Sequence, residues 1–298
     1  MVRAEAAQGL RLLTYPLTWL DVFAAEPLEG NQLAVVHDAD TLGDVTMLAF
    51  ARETGLSETT FVQSPAAAGA TYRNRIWWSH GELPFAGHPS LGTAVAVAAR
   101  RGEHEARYVQ ETPAGLQRVE VQFSADGARA QASMLQEPAV FGPEPDAAQA
   151  LAAVGLDPAD GHPELPPQVV GTGLTHLIIP VRDPHVLQRC APQLDQLLAV
   201  LSPHGAACAY VVAAEPELGM AQARSFFEGQ GGPIEDPATG SAAGPLCAYL
   251  HQRCGGDRVM VDQGVAMGRP SRLVAELDGD LVRVSGDVVI VATGDVRL

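Results

Sequence analysis

Gly81-Glu82-Leu83-Pro84-Phe85-Ala86-Gly87-His88-Pro89-Ser90-Leu91-Gly92-Thr93-Ala94 runs straight into the alanine-rich Val95–Arg100. Nearly half the chain later, Glu235-Asp236-Pro237-Ala238-Thr239-Gly240-Ser241-Ala242-Ala243-Gly244-Pro245 runs into Leu246–Leu250. Each segment sets a polar residue and a proline just ahead of small residues, then an apolar helix. Proline suits the first turn of a helix. Small residues let a ligand approach the free N–H groups there. Two such helix starts, aiming their positive dipole ends at one anion, predict a small-molecule site between two similar domains.

Short runs rich in Val, Ile, Thr and aromatics surround the first segment and read as strands: Thr18–Phe23, Leu33–Val36, Thr59–Gln63, Thr71–Trp78 and Arg107–Glu111. Val45–Glu53 has a helical period, and Pro89–Arg101 is apolar on nearly all sides, so strands should wrap it. Three prolines in Gln136–Asp146 mark a linker. The pattern then returns with strands near Val169, Leu177–Val181, Ala209–Ala213 and Ala221–Phe227, and with the second buried helix. Closing strands are expected at Val259–Asp262, Arg272–Leu277, Leu281–Ser285 and Val288–Ala292. The expected fold is α+β, with two pseudo-symmetric domains, 1–137 and 138–298. Each is a curled, mostly antiparallel sheet around a central helix, and the last strand is free to pack back on the first domain.

The net charge of −16 over 298 residues argues against nucleic acid or an anionic membrane as partner. All 19 basic residues are arginine. With no lysine, a pyridoxal-phosphate Schiff base and a P-loop are excluded. Cys190, Cys208, Cys247 and Cys254 show no C-x-x-C spacing, which fits a reduced, cytoplasmic protein. Arg3, Glu5 and Arg11 interrupt the N-terminus and make it unlike a signal peptide. No run approaches the ~20 apolar residues of a membrane span. No histidine pair has metal-ligand spacing, and neither G-x-G-x-x-G after a strand nor G-x-S-x-G occurs, so no metal or cofactor is expected.

Leu56-Ser57-Glu58-Thr59-Thr60-Phe61-Val62 holds a carboxylate at the entry to an apolar strand. Partial desolvation would raise its pKa and suit it to taking and returning a proton. The alternative is an ordinary exposed glutamate. His88 could donate to a ligand oxygen or orient an acid, or else be a turn histidine satisfied by local backbone. Asp236 could face the cleft as a second acid or merely cap the second helix. Gly240 and Ser241 offer N–H and hydroxyl donors to a carboxylate.

Together with Asp21-Val22-Phe23, Gly30–Val36, Glu111-Thr112-Pro113-Ala114-Gly115 and Thr172-Gly173-Leu174, these motifs resemble the PhzF-like phenazine-biosynthesis isomerase family, in order from about Leu17 onward. The resemblance implies the diaminopimelate-epimerase fold, a cofactor-free active site between the domains, and a homodimer. It implies Glu58 as the proton-shuttling acid/base, with His88 and Asp236 holding the substrate and supporting transfer. Ser57, Gly87, Gly240 and Ser241 match substrate-binding positions. Proline racemases and related epimerases of this fold use two cysteines as opposing bases. Glu58 and Asp236 stand where those thiols are expected, and no cysteine is expected near either. Trp78-Ser79-His80 departs from the Thr-Pro that relatives often carry there. The expected activity is a cofactor-independent isomerisation of a small carboxylate-bearing, cyclic metabolite. The alternatives are an amino-acid racemase, epimerase or dehydratase using Glu58 and Asp236, and a non-catalytic small-molecule-binding protein.

Overall fold

Every second side chain of Glu105–Thr112 is buried, the signature of a strand with one face on a core. The same reasoning builds β1 (Thr14–Val22), β2 (Asn31–Val36), β3 (Thr59–Gln63), β4 (Tyr72–Trp78), β5 (Gly81–Leu83), β6 (Glu105–Thr112), β7 (Gly115–Phe123) and β8 (Ala130–Gln136). The computed structural model describes residues 13–229 and 231–298; Arg3, Glu5 and Arg11 lie outside them. The second half contributes β9 (Val140–Phe141), β10 (Gln168–Gly171), β11 (Thr175–Pro180), β12 (Cys208–Glu215), β13 (Met220–Gly229), β14 (Gly232–Asp236), β15 (Arg258–Gln263), β16 (Ser271–Asp278) and β17 (Leu281–Arg297). Among the described residues there are six α-helices: α1 (Asp44–Thr54), α2 (Gly87–Arg101), α3 (Ala147–Ala153), α4 (Pro184–Leu187), α5 (Leu194–Leu201) and α6 (Gly240–Cys254).

The sheet of the first half closes on itself in the order β1, β2, β3, β4, β6, β7, β8, β17 and back to β1. Only β2–β3 and β4–β6 are parallel in that ring. The second half repeats the scheme, with β11–β12 and β13–β15 parallel. It runs from β10 to β17 and closes through β8 and its continuation β9, which pairs with β10. Each ring therefore holds a strand that also serves the other.

The central helices fill the rings. In α2 every residue from Gly87 to Ala98 is buried, and in α6 every residue from Gly240 to Leu250. Glycine and alanine make this possible: a Cβ on Gly92 would come within 2.6 Å of Leu33 and 2.8 Å of Val22. The α+β class, the pseudo-symmetry and the two wrapped helices are as expected from the sequence. A second register marks the repeat. Arg75 forks onto Glu82 (2.7 and 2.6 Å) and lies over Trp77; Arg224 forks onto Glu235 (2.8 and 2.6 Å) and lies over Phe226.

Several elements differ from expectation. β7, β8 and β14 escape the sequence reading: in β7 and β8 most outward positions are polar or small, and β14 is five residues long, opens on Gly232-Pro233 and has no fully buried side chain. The two closing strands are one: β17 runs unbroken through Gly286. A Cβ there would lie 2.3 Å from the Phe23 ring, so that glycine admits an aromatic side chain rather than ending a strand. The proline-rich linker contains β9, and Pro237 precedes α6 rather than opening it, while Pro245 lies inside the helix.

Candidate active site

Thr60 hydrogen-bonds Thr93 of α2 at 2.8 Å, so the even positions of β3 face the central helix. Glu58 shares that parity. Its Oε2 lies 3.4 Å from Nε2 of His88, with the two side chains 18% and 5% exposed. Neither atom has a hydrogen-bond partner. His88 is the second residue of α2, so it is a buried helix-start histidine and not a turn residue. Asp236 ends β14 and is brought to the same place by Asn31. The Asn31 amide donates to Asp236 Oδ1 (2.7 Å) and to the Ala238 carbonyl (3.1 Å), and its nitrogen lies 3.1 Å from His88 Nδ1. Thr239 Oγ1 donates to the other Asp236 oxygen at 2.7 Å. Asp236 does not cap α6, whose N-cap is Thr239.

Burial sets the charges of this cluster. It pushes the Glu58 carboxyl up to about 8, helped by the negative charge of Asp236. It pushes Asp236 up to only about 6, because Thr239 and Asn31 donate to the carboxylate. It pushes the His88 imidazole down to about 3. Near neutral pH the cluster therefore holds one protonated carboxyl, one carboxylate and a neutral ring. In the tautomer with Nε2 unprotonated, the ring is positioned to accept the Glu58 proton across the 3.4 Å contact. Two carboxyl groups whose pKa values are driven apart are the arrangement expected of an acid/base pair.

The two helix starts meet at the same place. A Cβ on Gly87 would fall 2.8 Å from the Ser241 backbone nitrogen, and a Cβ on Gly240 would fall 3.6 Å from Gly87 Cα. Neither helix has a side-chain cap, which leaves first-turn N–H groups for a ligand. Ser241 is 8% exposed at the start of α6. Pro245 has no N–H for the Ser241 carbonyl four residues back. Ser57 lies exposed on the turn before Glu58, and none of the hydrogen bonds described for the cluster involves it.

Asn31 is the residue the sequence reading missed, although Gly30-Asn31-Gln32 was among the recognised motifs. A short amide opening a strand was its only signal. The repeat also places Cys208 opposite in role to Glu58, since both stand one position before equivalent residues, Ala209 and Thr59, of the registers β12–β13 and β3–β4. Cys208 is close enough to feel the Asp236 charge, which corrects the view that no cysteine lies nearby. Burial pushes that thiol up to about 12, unlike the reactive thiolates of a two-cysteine racemase. A cavity of about 470 Å³ near Phe85, Gln136 and Thr172 is lined by none of the acid/base residues.

The phenazine biosynthesis-like (PhzC-PhzF) family profile matches residues 20–294. This chain belongs to that family. The PhzF-like protein is 36% identical over 284 residues to a trans-2,3-dihydro-3-hydroxyanthranilate isomerase of Pseudomonas aeruginosa, covering 89% of this chain and 91% of the relative. It is 36% identical over 291 residues to an uncharacterised isomerase of Mesorhizobium japonicum, covering 92% and 96%. Among solved structures, a predicted epimerase from Pseudomonas aeruginosa superposes with a TM-score of 0.82 at 34% identity, covering 95% and 99%. A hydroxyproline epimerase from Agrobacterium vitis shares the fold, with a TM-score of 0.67 at 14% identity, covering 97% and 93%. The chain is a PhzF-like isomerase.

Proposed function

We propose that this protein isomerises a small, ring-bearing carboxylate by moving one proton between carbons, with Glu58 as the carrier and no cofactor. The observation that carries this is the Glu58–His88 contact, in which two otherwise unpartnered buried atoms face each other at 3.4 Å. His88 accepts from the protonated Glu58, and the Asp236 charge keeps the Glu58 pKa near neutrality, where a group both takes and returns protons effectively. The first-turn N–H groups around Gly87, Gly240 and Ser241 hold the substrate carboxylate, with Ser57 at the rim. The absence of lysine supports a pyridoxal-free route. No three His, Cys, Asp or Glu side chains among the described residues converge as a metal set. The same reading divides the chain into lobes 1–137 and 138–298, supported by the repeated pairing pattern. It also carries a cytoplasmic homodimer, supported by the family resemblance and the acidic composition.

The test is turnover of trans-2,3-dihydro-3-hydroxyanthranilate after exhaustive dialysis against chelator. Activity is expected to survive, without flavin or pyridoxal absorbance. A dialysed sample revived by added metal overturns the cofactor-free reading. One observation favours a second reading: the charge of Asp236 acts on Glu58, as in a two-base racemase or epimerase. Deuterium entering an amino-acid stereocentre with inversion, in heavy water, would select it.

Ser241 offers a separate check on the carboxylate site. Ser241→Asp sets a like charge against the bound anion and is expected to abolish measurable benzoate binding. Ser241→Ala removes about one hydrogen bond, ~0.5–1.5 kcal/mol. Equal affinities of the two variants in a calorimetric titration would place the anion elsewhere.

A further inference from the structure

We infer that Trp78 forms the wall of the substrate cleft and selects ligands with a flat ring over acyclic carboxylates. This rests on the carboxylate site proposed above and adds the residue that sets its ring preference.

In the β3–β4 ladder Thr59 pairs with Trp77 and Thr60 with Ile76; continued one step past its last pair, that register sets Glu58, the residue just before β3, against Trp78. Directly opposed residues of antiparallel strands stand on the same face, with their Cβ atoms roughly 4.5–5.5 Å apart. The two faces of β4 are unambiguous. Arg75 and Trp77 point outward: Arg75 pairs with Asp44 of α1, and Trp77 packs in the cluster that includes Met47 and Ala51. Ile76 is fully buried opposite Thr60, whose hydroxyl meets α2. Trp78 has the parity of Ile76, so its indole stands on the Glu58 side, at the mouth of the ring rather than in the outer cluster.

That indole is held rather than free. Its ring centroid lies 4.3 Å from that of His80 across the tight turn, and the turn is pinned by Arg52 Nε donating to the Ser79 carbonyl at 2.7 Å. Trp78 nevertheless keeps part of its surface open, while Trp77 beside it is buried. A partly open, fixed aromatic plane beside a proton carrier is a shelf for a ring: offset or edge-on aromatic contact adds affinity beyond area burial and gives nothing comparable to an acyclic chain.

The test titrates wild type, Trp78→Ala and Trp78→Phe with benzoate and with pivalate, an acyclic carboxylate of the same charge, by calorimetry. Trp78→Ala is expected to weaken benzoate by roughly three- to tenfold and leave pivalate unchanged, and Trp78→Phe to hold benzoate within about twofold of wild type. With trans-2,3-dihydro-3-hydroxyanthranilate as substrate, the alanine variant should raise KM and spare kcat. An unchanged benzoate affinity in Trp78→Ala, or an equal loss for both ligands, overturns the role of Trp78 alone. Should the alanine variant not fold, a phenylalanine variant that loses benzoate and pivalate equally overturns it as well. Failure of wild type to bind either carboxylate overturns the carboxylate site and this inference with it.

Discussion

Glu58→Gln is expected to lower kcat by a factor on the order of 10²–10⁴ while leaving the fold and benzoate affinity nearly intact. The amide keeps the size of the carboxyl and donates to His88 Nε2 in place of the acid proton, but it cannot carry a proton between carbons. A near-normal rate would remove Glu58 from the mechanism. The same variant has a signature in stability. The folded protein holds the Glu58 proton up to about pH 8, against an ordinary value of 4.5 for the free side chain. Between those values the folded form binds a proton that the unfolded chain has released, so this group drains stability as pH rises. Glutamine does not titrate. The Tm of Glu58→Gln should therefore gain on that of wild type from about pH 5 to about pH 9. A constant difference across that range would show that Glu58 is not desolvated as the structure has it.

Gly87→Ala is expected to be the most damaging single-methyl change in the site. The added carbon would sit 2.8 Å from the Ser241 nitrogen, 3.0 Å from the Gly240 carbonyl carbon and 3.2 Å from Gly240 Cα. All three are backbone atoms, so no flexible side chain can give way and the two helix starts must separate. Overpacking of this kind costs about 1–3 kcal/mol. A misplacement of about 1 Å between groups that must act together reduces turnover on the order of 10²-fold. Gly256→Ala, where nothing lies within 4 Å, is the control and should change neither property. Matching kinetics for the two variants would mean that the helix starts do not need to touch for catalysis.

The sequence by itself determined the fold class and singled out Glu58, His88 and Asp236, three residues that the structure brings together. Both central helices announce themselves as apolar runs behind small residues, because a helix buried on every side has no polar stripe to hide it. Glu58, His88 and Asp236 were legible because each sits in a short motif whose residue types make chemical sense together. Local pattern could not show their meeting. Glu58 and His88 come together through the parity of β3 against α2, and Asp236, at the end of β14, is tied to them by Asn31, 205 residues away, which donates to its carboxylate. Nor could pattern reveal that β17 is continuous, since Gly286 looks like a break until the Phe23 ring is seen filling its place. The charge states belong wholly to the tertiary structure: the two carboxyl groups separate near neutrality because burial is offset by hydrogen bonds at Asp236, while at Glu58 it is reinforced by a neighbouring negative charge. Desolvation and charge proximity depend on which surfaces close over a side chain, and no stretch of neighbouring residues encodes that.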